Sequence, residues 1–266
     1  MLSTKNYVCE PWNDYFDIKN GYGVNFDEIP IYGEWKKYFG RWRETGKFKT
    51  LENELTQDIK KNINIFPYPQ YVFKAFNDVK LDDIKVVILG QDPYRNSQVV
   101  RKRIIPEAMG LSFSVPIGID IPPSLINIYQ NQLKNKIIPE LPKHGNLEYW
   151  VNQGCLMMNA GLTVREGDKY AYYCKYWQLI TDGIIKLISK ELDNVVFVLW
   201  GNFALEKLKC IDMDKHEVVC SSHPSPMSFN KKASGFPSFE ENNHFAQINN
   251  YLLSKDKDPI DWKLLI

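Results

Sequence analysis

Apolar residues occur along this chain in continuous runs and in stripes of helical spacing. Continuous Val/Ile/Leu-rich runs are typical of parallel strands that are buried on both faces of a sheet. We therefore predict a central, four-stranded and mainly parallel sheet from four mostly apolar runs. These runs are Ile84–Leu89, Cys155–Met158, Asn194–Trp200 and Glu217–Cys220.

Between and around these runs, apolar residues recur at the three- and four-residue spacing of amphipathic helices. One such stripe (Leu125, Ile128, Tyr129 and Leu133) follows Pro122–Pro123, and Ser124 is its expected N-cap. Other helices are expected over Glu34–Asn62 with a second helical run from Leu51, over about Tyr173–Lys190, after Asn202, and over about Glu241–Leu253. Strands that alternate with helices predict a single α/β domain with helices on both faces of the sheet, preceded by a helical N-terminal segment.

The 266 residues fit one domain with an extra segment, or two small domains. Residues 1–30 show no clear periodicity, so we expect an N-terminal extension there, either a loosely ordered tail or the trimmed end of a longer protein. Residues 31–266 are expected to form the α/β domain. Within it, Arg95–Met109 is expected to be a long loop, and such loops in compact domains are usually functional or mobile.

Composition excludes several classes of protein. With 33 basic and 32 acidic residues, the chain has no global field to attract nucleic acid, so any phosphate binding must come from local patches. The five cysteines are scattered without Cys-x-x-Cys spacing, which indicates reduced thiols rather than disulfides, zinc or iron–sulfur clusters. Because the chain has no signal-peptide pattern and no apolar run of about 18 residues, we expect an intracellular protein that neither spans a membrane nor is secreted.

A polar motif follows each of the four apolar runs. The motifs are Gly90–Tyr94, Asn159–Thr163, Gly201–Asn202 and Ser222–Ser228. Ligands of open parallel sheets bind beyond the carboxyl ends of the strands. We therefore expect these motifs to converge on one crevice that brings together Asp92, Asn159 and His223.

Six motifs in order resemble those of the family-1 uracil-DNA glycosylases. They are Val86–Tyr94, Gly110–Val115, Pro122–Leu125, Leu156–Ala160, Leu199–Gly201 and His223–Pro226. Each is weak alone, but their order and spacing are specific, and the resemblance extends from about Trp35 to Trp262. It implies a monofunctional, metal-independent glycosylase that acts as a monomer without a cofactor. Such an enzyme flips uracil out of single- or double-stranded DNA and hydrolyses its N-glycosidic bond, leaving an abasic site.

The resemblance also assigns roles to residues of the crevice. Asp92 would stabilise the cation-like sugar and orient the attacking water, and His223 would donate a hydrogen bond to uracil O2. Asn159 would reject cytosine, whose donor and acceptor pattern is the reverse of that of uracil. Tyr94 would exclude the methyl group of thymine, Phe113 would stack on the flipped ring, and Gln91 would contribute its backbone N–H.

Other motif residues are expected to contact the DNA. Small or hydroxylated residues let backbone N–H groups approach phosphates closely. Met227 would enter the base stack where the nucleotide leaves, although the family more often has Leu there. The expected phosphate contacts are Ser124, Gly201, Ser225 and Ser228.

Some positions depart from the family pattern. Arg95 stands where the family usually has His, which removes or changes the support that this His gives to the water and adds a positive charge. The segments 95–109 and 233–239 resemble insertions. None of these departures involves Asp92, Asn159 or His223.

Two alternatives belong to other functional classes. A non-catalytic or weakly active DNA-binding protein, accessory to replication, could share the fold, because a fold alone does not confer function. The presence of both Asp92 and His223 argues against it. An unrelated α/β hydrolase or nucleotide binder is poorly supported, because the chain lacks Gly-x-Ser-x-Gly, Gly-x-Gly-x-x-Gly and P-loop motifs.

Overall fold

The structure is a computed structural model that describes residues 1–168 and 172–264. Its strands are β1 (Ile65–Phe66), β2 (Val86–Gly90), β3 (Ser97–Val100), β4 (Arg103–Pro106), β5 (Cys155–Asn159), β6 (Val164–Arg165), β7 (Val196–Trp200) and β8 (Glu217–Ser221). Its α-helices are α1 (Trp12–Tyr15), α2 (Gly33–Glu44), α3 (Lys47–Lys60), α4 (Lys74–Asn77), α5 (Pro123–Lys134), α6 (Glu148–Val151), α7 (Cys174–Glu191), α8 (Asn202–Leu205) and α9 (His244–Ser254).

The four predicted strands form one parallel sheet in the order β5-β2-β7-β8. Every residue of β2, β5 and β7 is buried, which explains why their sequences are apolar rather than alternating, apart from Asn159 at the carboxyl end of β5. The α/β class and the parallel sheet are therefore confirmed. The register pairs Gly90 with Asn159 and Trp200 with Ser221, so the polar motifs begin at one edge of the sheet.

Aromatic packing joins the helical N-terminal segment to the domain. Phe39 of α2 and Phe48 of α3 surround Phe26 and Phe73, and three of these rings contact Trp177 of α7. These side chains are at most 3% exposed. Burial of large rings contributes strongly to the core, because each ring removes a large apolar area from water.

Residues 1–30 are not loosely attached in the structure. Trp12 is 2% exposed and its indole N–H donates to the Pro67 carbonyl at 3.0 Å. Tyr7 is buried as well, and its hydroxyl donates to the Ala108 carbonyl at 3.0 Å. The anchors are isolated rings without helical or strand periodicity, so the sequence pattern did not reveal them. The division of the chain at residue 31 stays a prediction.

Two local expectations were wrong. The segment Arg95–Met109 is not an irregular loop, because β3 and β4 form an antiparallel hairpin within it. Ser124 is not the N-cap of α5: Pro122 holds that position, without a side-chain hydrogen bond, and the helix begins at Pro123. Proline suits the first helical turn because its missing N–H has no intrahelical partner there.

All five cysteines are free thiols in the structure. None of the helices in residues 1–168 and 172–264 is both long and apolar enough to cross a membrane.

Candidate active site

Asp92, Asn159 and His223 line one cavity of about 130 Å³ beyond the carboxyl ends of β2, β5 and β8. The sheet therefore brings these three predicted residues together. The complete lining consists of Gly90, Gln91, Asp92, Tyr94, Leu111, Phe113, Ser124, Asn159 and His223.

Asn159 is positioned by its pairing with Gly90 across β5 and β2. A Cβ atom on Gly90 would lie 2.1 Å from Asn159 Oδ1, so only glycine leaves room for the amide. The amide makes no hydrogen bond to any residue within 1–168 or 172–264, although Asn159 is only 6% exposed. Buried polar groups are normally paired, so this amide is available to a ligand in the cavity.

The Asp92 carboxylate is held in a poorly solvated position. Burial raises its pKa to about 6, and the charge of Asp168 acts in the same direction. Interactions with the Cys174 thiol and the Gln91 side chain lower the pKa in part. Asp92 Oδ1 is buried without a hydrogen-bond partner in the described part of the chain. A carboxylate oxygen with unused acceptor capacity is suited to bind a developing positive charge or a water molecule.

Gly161 provides the space for Asp92, and its role was missed in the sequence analysis. A Cβ atom at Gly161 would lie 2.4 Å from Asp92 Oδ1 and 3.3 Å from Cys174 Cα. Gly161 therefore lies between the Asp92 carboxylate and the first residue of α7, in a space that has no room for a side chain. Only the three-dimensional contact reveals this, because Gly161 follows β5 whereas Asp92 follows β2.

His223 is electrically neutral at physiological pH, because burial lowers its pKa to about 4. Its Nδ1 accepts a hydrogen bond from the Ser225 backbone N–H at 3.0 Å. In a neutral imidazole the other nitrogen then carries the proton, so Nε2 is a hydrogen-bond donor. Gly201, at φ +90°, makes room for this ring, since a Cβ atom there would lie 2.8 Å from His223 Cβ.

Phe113 and Tyr94 fix each other at the cavity wall. Phe113 has φ +61°, an unusual backbone conformation for a bulky residue that requires support from its surroundings. The Tyr94 hydroxyl donates to the Phe113 carbonyl at 3.2 Å. The Phe113 ring contacts the rings of Trp200 and His223, with centroids 5.5 and 5.8 Å away. The aromatic wall is thus preorganised.

Hydrogen bonds of the Ser225 and Ser228 hydroxyl groups stabilise the loop after His223. Ser225 Oγ and Ser228 Oγ are 2.9 Å apart, and Ser228 Oγ donates to the His223 carbonyl at 3.1 Å. Asn127 of α5 donates to the Pro224 carbonyl at 2.7 Å, a support that the sequence analysis missed because Asn127 belongs to no motif. Met227 projects from this loop and is 82% exposed.

A wider opening of about 360 Å³ adjoins the cavity and shares Asp92 with it. Arg95 and Asn96 line this opening, and Arg95 Nη1 donates to the Asp168 carbonyl at 3.0 Å. The positive charge of Arg95 therefore lies at the mouth of the site. None of the His, Cys, Asp and Glu side chains in residues 1–168 and 172–264 forms a group of three or more arranged to hold a metal ion.

Comparisons with known proteins identify the family. A family model described as "Uracil DNA glycosylase superfamily" matches residues 76–253. The chain is 39% identical over 242 residues to "Uracil-DNA glycosylase" of Helicobacter hepaticus, which covers 91% of this chain and 99% of that protein. The chain belongs to the uracil-DNA glycosylase superfamily.

Other members of the superfamily extend this result. "Uracil-DNA glycosylase" of Campylobacter curvus is 40% identical over 241 residues, covering 91% of this chain and 97% of that protein. The crystal structure of mimivirus uracil-DNA glycosylase matches with a TM-score of 0.91 and 35% identity, covering 99% of this chain and 97% of that one. The resemblance carried by the six motifs is confirmed. The protein is a DNA glycosylase that excises uracil, and the non-catalytic alternative finds no support.

The contact of Gly161 with Asp92 leads to a first prediction. In Gly161→Ala the carboxylate must move by about 1 Å, and a displacement of that size can cost about 10²-fold in rate. We expect kcat for uracil release to fall by about that factor, measured on a uracil-containing oligonucleotide.

Gly40→Ala is the matched control, because a Cβ atom at Gly40 in helix α2 meets nothing within 4 Å. It should leave kcat unchanged. A folded Gly161→Ala protein with the kcat of the parent would show that this contact does not determine the position of Asp92.

Proposed function

We propose that this glycosylase uses Asp92 and His223 as catalytic residues and Asn159 to select uracil. The supporting observation is that a carboxylate, a neutral imidazole and an unpaired amide line the same cavity. In the reaction, water adds to C1′ of the deoxyribose while the C1′–N1 bond to uracil breaks. The bonding electron pair leaves with the base. The water loses one proton as its oxygen bonds to C1′, and the uracil anion takes up one proton, so the products are an abasic site and neutral uracil.

Asp92 would act on the sugar side of this bond. Bond breaking leaves positive charge on the sugar, and a nearby carboxylate stabilises that charge and orients the incoming water. The buried Asp92 Oδ1 has no competing partner among the described residues. Because its pKa of about 6 lies below neutrality, most of the carboxyl groups are ionised at pH 7.

His223 would act on the base side. Negative charge develops on uracil as the bond breaks, and a fixed N–H donor stabilises it. The Ser225 backbone N–H occupies Nδ1, which leaves Nε2–H for uracil O2. Since burial keeps the imidazole neutral, this donor is provided without the desolvation of an imidazolium ion.

Selection of the base would depend on Asn159, Tyr94 and Phe113. The unpaired Asn159 amide can donate to uracil O4 and accept from N3–H, and cytosine would leave both groups mismatched. Phe113 would stack on the flipped ring, which is a favourable contact for any base. The ring of Tyr94 would occupy the space that the thymine methyl group requires, and the backbone N–H of Gln91 would contact the base.

The DNA would be held at the rim of the cavity. Met227 is almost fully exposed, as expected for an apolar wedge that enters a base step. The proposed phosphate contacts are Ser124, Gly201, Ser225 and Ser228. We further propose that the protein acts as a monomer, without metal or cofactor, in a compartment that contains DNA.

The roles of the catalytic residues are tested by Asp92→Asn. This change removes the charge but keeps the shape, so we expect uracil release to fall by at least about 10²-fold while binding is largely retained. Release is measured on a single-stranded oligonucleotide with one uracil, with and without EDTA, followed by alkaline cleavage of the abasic product.

The control is Asp214→Asn, which alters an exposed carboxylate just before the amino end of β8, whereas the cavity lies beyond the carboxyl end of that strand. This variant should release uracil at the same rate as the parent protein. Unchanged turnover in Asp92→Asn would remove Asp92 from the mechanism, and loss of activity with EDTA would contradict a metal-independent reaction.

The pH dependence follows from the pKa of Asp92. The reaction requires the ionised carboxylate, so kcat/KM should decrease as the pH falls through about 6, whereas His223 stays neutral down to about 4. The Cys174 thiol lowers the pKa of Asp92. We therefore expect Cys174→Ala to move the acid limb of the profile to higher pH.

This shift is measured from kcat/KM between pH 4.5 and 8, a range chosen to bracket the value of about 6. Cys9→Ala, which removes a partly exposed thiol remote from Asp92 in sequence, serves as the control. An acid limb at the same pH in Cys174→Ala and the parent would mean that the thiol does not tune Asp92.

Exclusion of thymine is tested at Tyr94. Tyr94→Ala removes the ring and should allow thymine release from DNA, whereas Tyr94→Phe removes only the hydroxyl that binds the Phe113 carbonyl and should not. Released base is quantified for thymine- and uracil-containing oligonucleotides. If Tyr94→Ala releases uracil but no thymine, another part of the wall excludes the methyl group.

A further inference from the structure

The hairpin of β3 and β4 has an unusual turn. Its register pairs Val100 with Arg103, so Arg101 and Lys102 form a two-residue loop. Both residues have positive φ, at +51° and +65°. Two-residue turns of this kind strongly favour Asn-Gly or Gly-Gly, because other residues are strained there. Two long cationic side chains therefore occupy positions where local conformation favours small, uncharged residues.

The hairpin begins at the rim of the active site. Asn96, directly before β3, lines the wider opening together with Asp92. The side chain of Gln98 accepts a hydrogen bond from the Asp120 backbone N–H at 3.2 Å, just before the segment that carries the proposed phosphate contact Ser124. Ser97 Oγ donates to Glu166 at 2.9 Å on the other side. The base of the hairpin thus contacts two segments near the site, one that leads to Ser124 of the cavity lining and one, residues 164–168, that borders the opening.

The hairpin is also firmly anchored. The Arg103 guanidinium donates to the Thr4 carbonyl at 3.1 Å, to the Tyr7 carbonyl, and to Cys9 Sγ. Ile105 is fully buried. These contacts hold the turn in a defined position relative to the site, so its charges are preorganised for a ligand.

The positive charges at the turn are not neutralised by the protein. Arg101 and Lys102 are exposed, and neither forms an ion pair with any residue in the described ranges. By contrast, the guanidinium group of Arg103 donates hydrogen bonds to backbone carbonyls, and that of Arg95 donates to the Asp168 carbonyl. Exposed cations without ion-pair partners, on an anchored hairpin beside the site, are suited to bind the phosphate backbone of DNA.

We propose that Arg101 and Lys102 bind backbone phosphates of the substrate DNA beyond the flipped nucleotide. This rests on the proposed function of the neighbouring cavity. Four strand residues at about 3.3 Å each extend the turn by about 13 Å from the rim. Duplex DNA carries one negative charge per about 1.7 Å of its axis, so a length of about 13 Å along the duplex contains several phosphates. The contact therefore requires DNA that extends well past the uracil.

The test combines Arg101→Asn with Lys102→Gly, which removes both charges and installs the sequence that the turn favours. The variant should fold with an unchanged or higher Tm. The control is Lys190→Ala with Lys209→Ala, which removes one cation from the last turn of α7 and a second that lines the same surface depression. Affinity is measured by fluorescence anisotropy over a range of salt concentrations, on a 30-base-pair duplex with a central abasic site. Uracil release is measured on the matching uracil duplex and on a uracil trinucleotide.

We expect the turn variant to lose affinity for the long duplex several-fold, and its plot of log K against log salt to flatten by about 2, one for each phosphate contact. Release from the trinucleotide should equal that of the parent. An unchanged salt slope, or an equal loss in the control variant, would overturn the proposal. An equal loss on the trinucleotide would also overturn it, because the effect would then lie in the cavity. A parent protein that binds DNA but releases no uracil would instead refute the proposed function alone.

Discussion

The close approach of β2 and β5 at their carboxyl ends is the contact on which the site depends. Gly90 and Asn159 are register partners, and the missing side chain of Gly90 lets the Asn159 amide lie against the backbone of β2. Any other residue at position 90 would displace the amide by clashing with Oδ1. The first motif begins at this point, so the position of Asp92 relative to Asn159 follows from the same register. A buried parallel sheet transmits this geometry rigidly, because close-packed interiors do not deform continuously.

Burial also sets the electrostatics of the cavity, and it affects the two catalytic candidates in opposite directions. Desolvation raises the pKa of Asp92 to about 6 and lowers that of His223 to about 4. At neutral pH, which lies above both pKa values, the Asp92 carboxyl group is ionised and the His223 imidazole is uncharged. A single poorly solvated cavity thus holds both an anionic carboxylate and an uncharged imidazole, the two groups that the proposed reaction requires.

Segments that look peripheral in the sequence are connected to this centre. The N-terminal residues supply the carbonyls that hold Arg103, so the burial of Tyr7 also secures the β3–β4 hairpin. The helical segment α2–α3 packs on Trp177 of α7, and α7 begins at Cys174 beside Asp92. The packing of the N-terminal half therefore supports both the hairpin that follows Asn96 and the start of α7 beside Asp92. It explains why residues without a motif nevertheless matter for the geometry of the site.

Much of this protein could be predicted from its sequence. Four apolar runs predicted the buried strands, because a strand covered on both faces has no polar positions. Six ordered motifs identified the family, and Asp92, Asn159 and His223 were predicted to meet because the carboxyl ends of parallel strands share one edge. Local signals also led to an error, since the segment 95–109 looked like a loop but contains a hairpin. Hairpin pairing in a strongly charged segment and burial of isolated rings leave no periodic pattern.

Other features were decided only by the tertiary structure. The space that Gly161 leaves for Asp92 and the support of Pro224 by Asn127 both depend on contacts between residues of different elements. Likewise, the shifted pKa values exist only when the cavity excludes water. The sequence determines which elements form, because periodicity is a local property of the chain. The distances and the solvation that give these residues their chemistry arise only when the elements pack together.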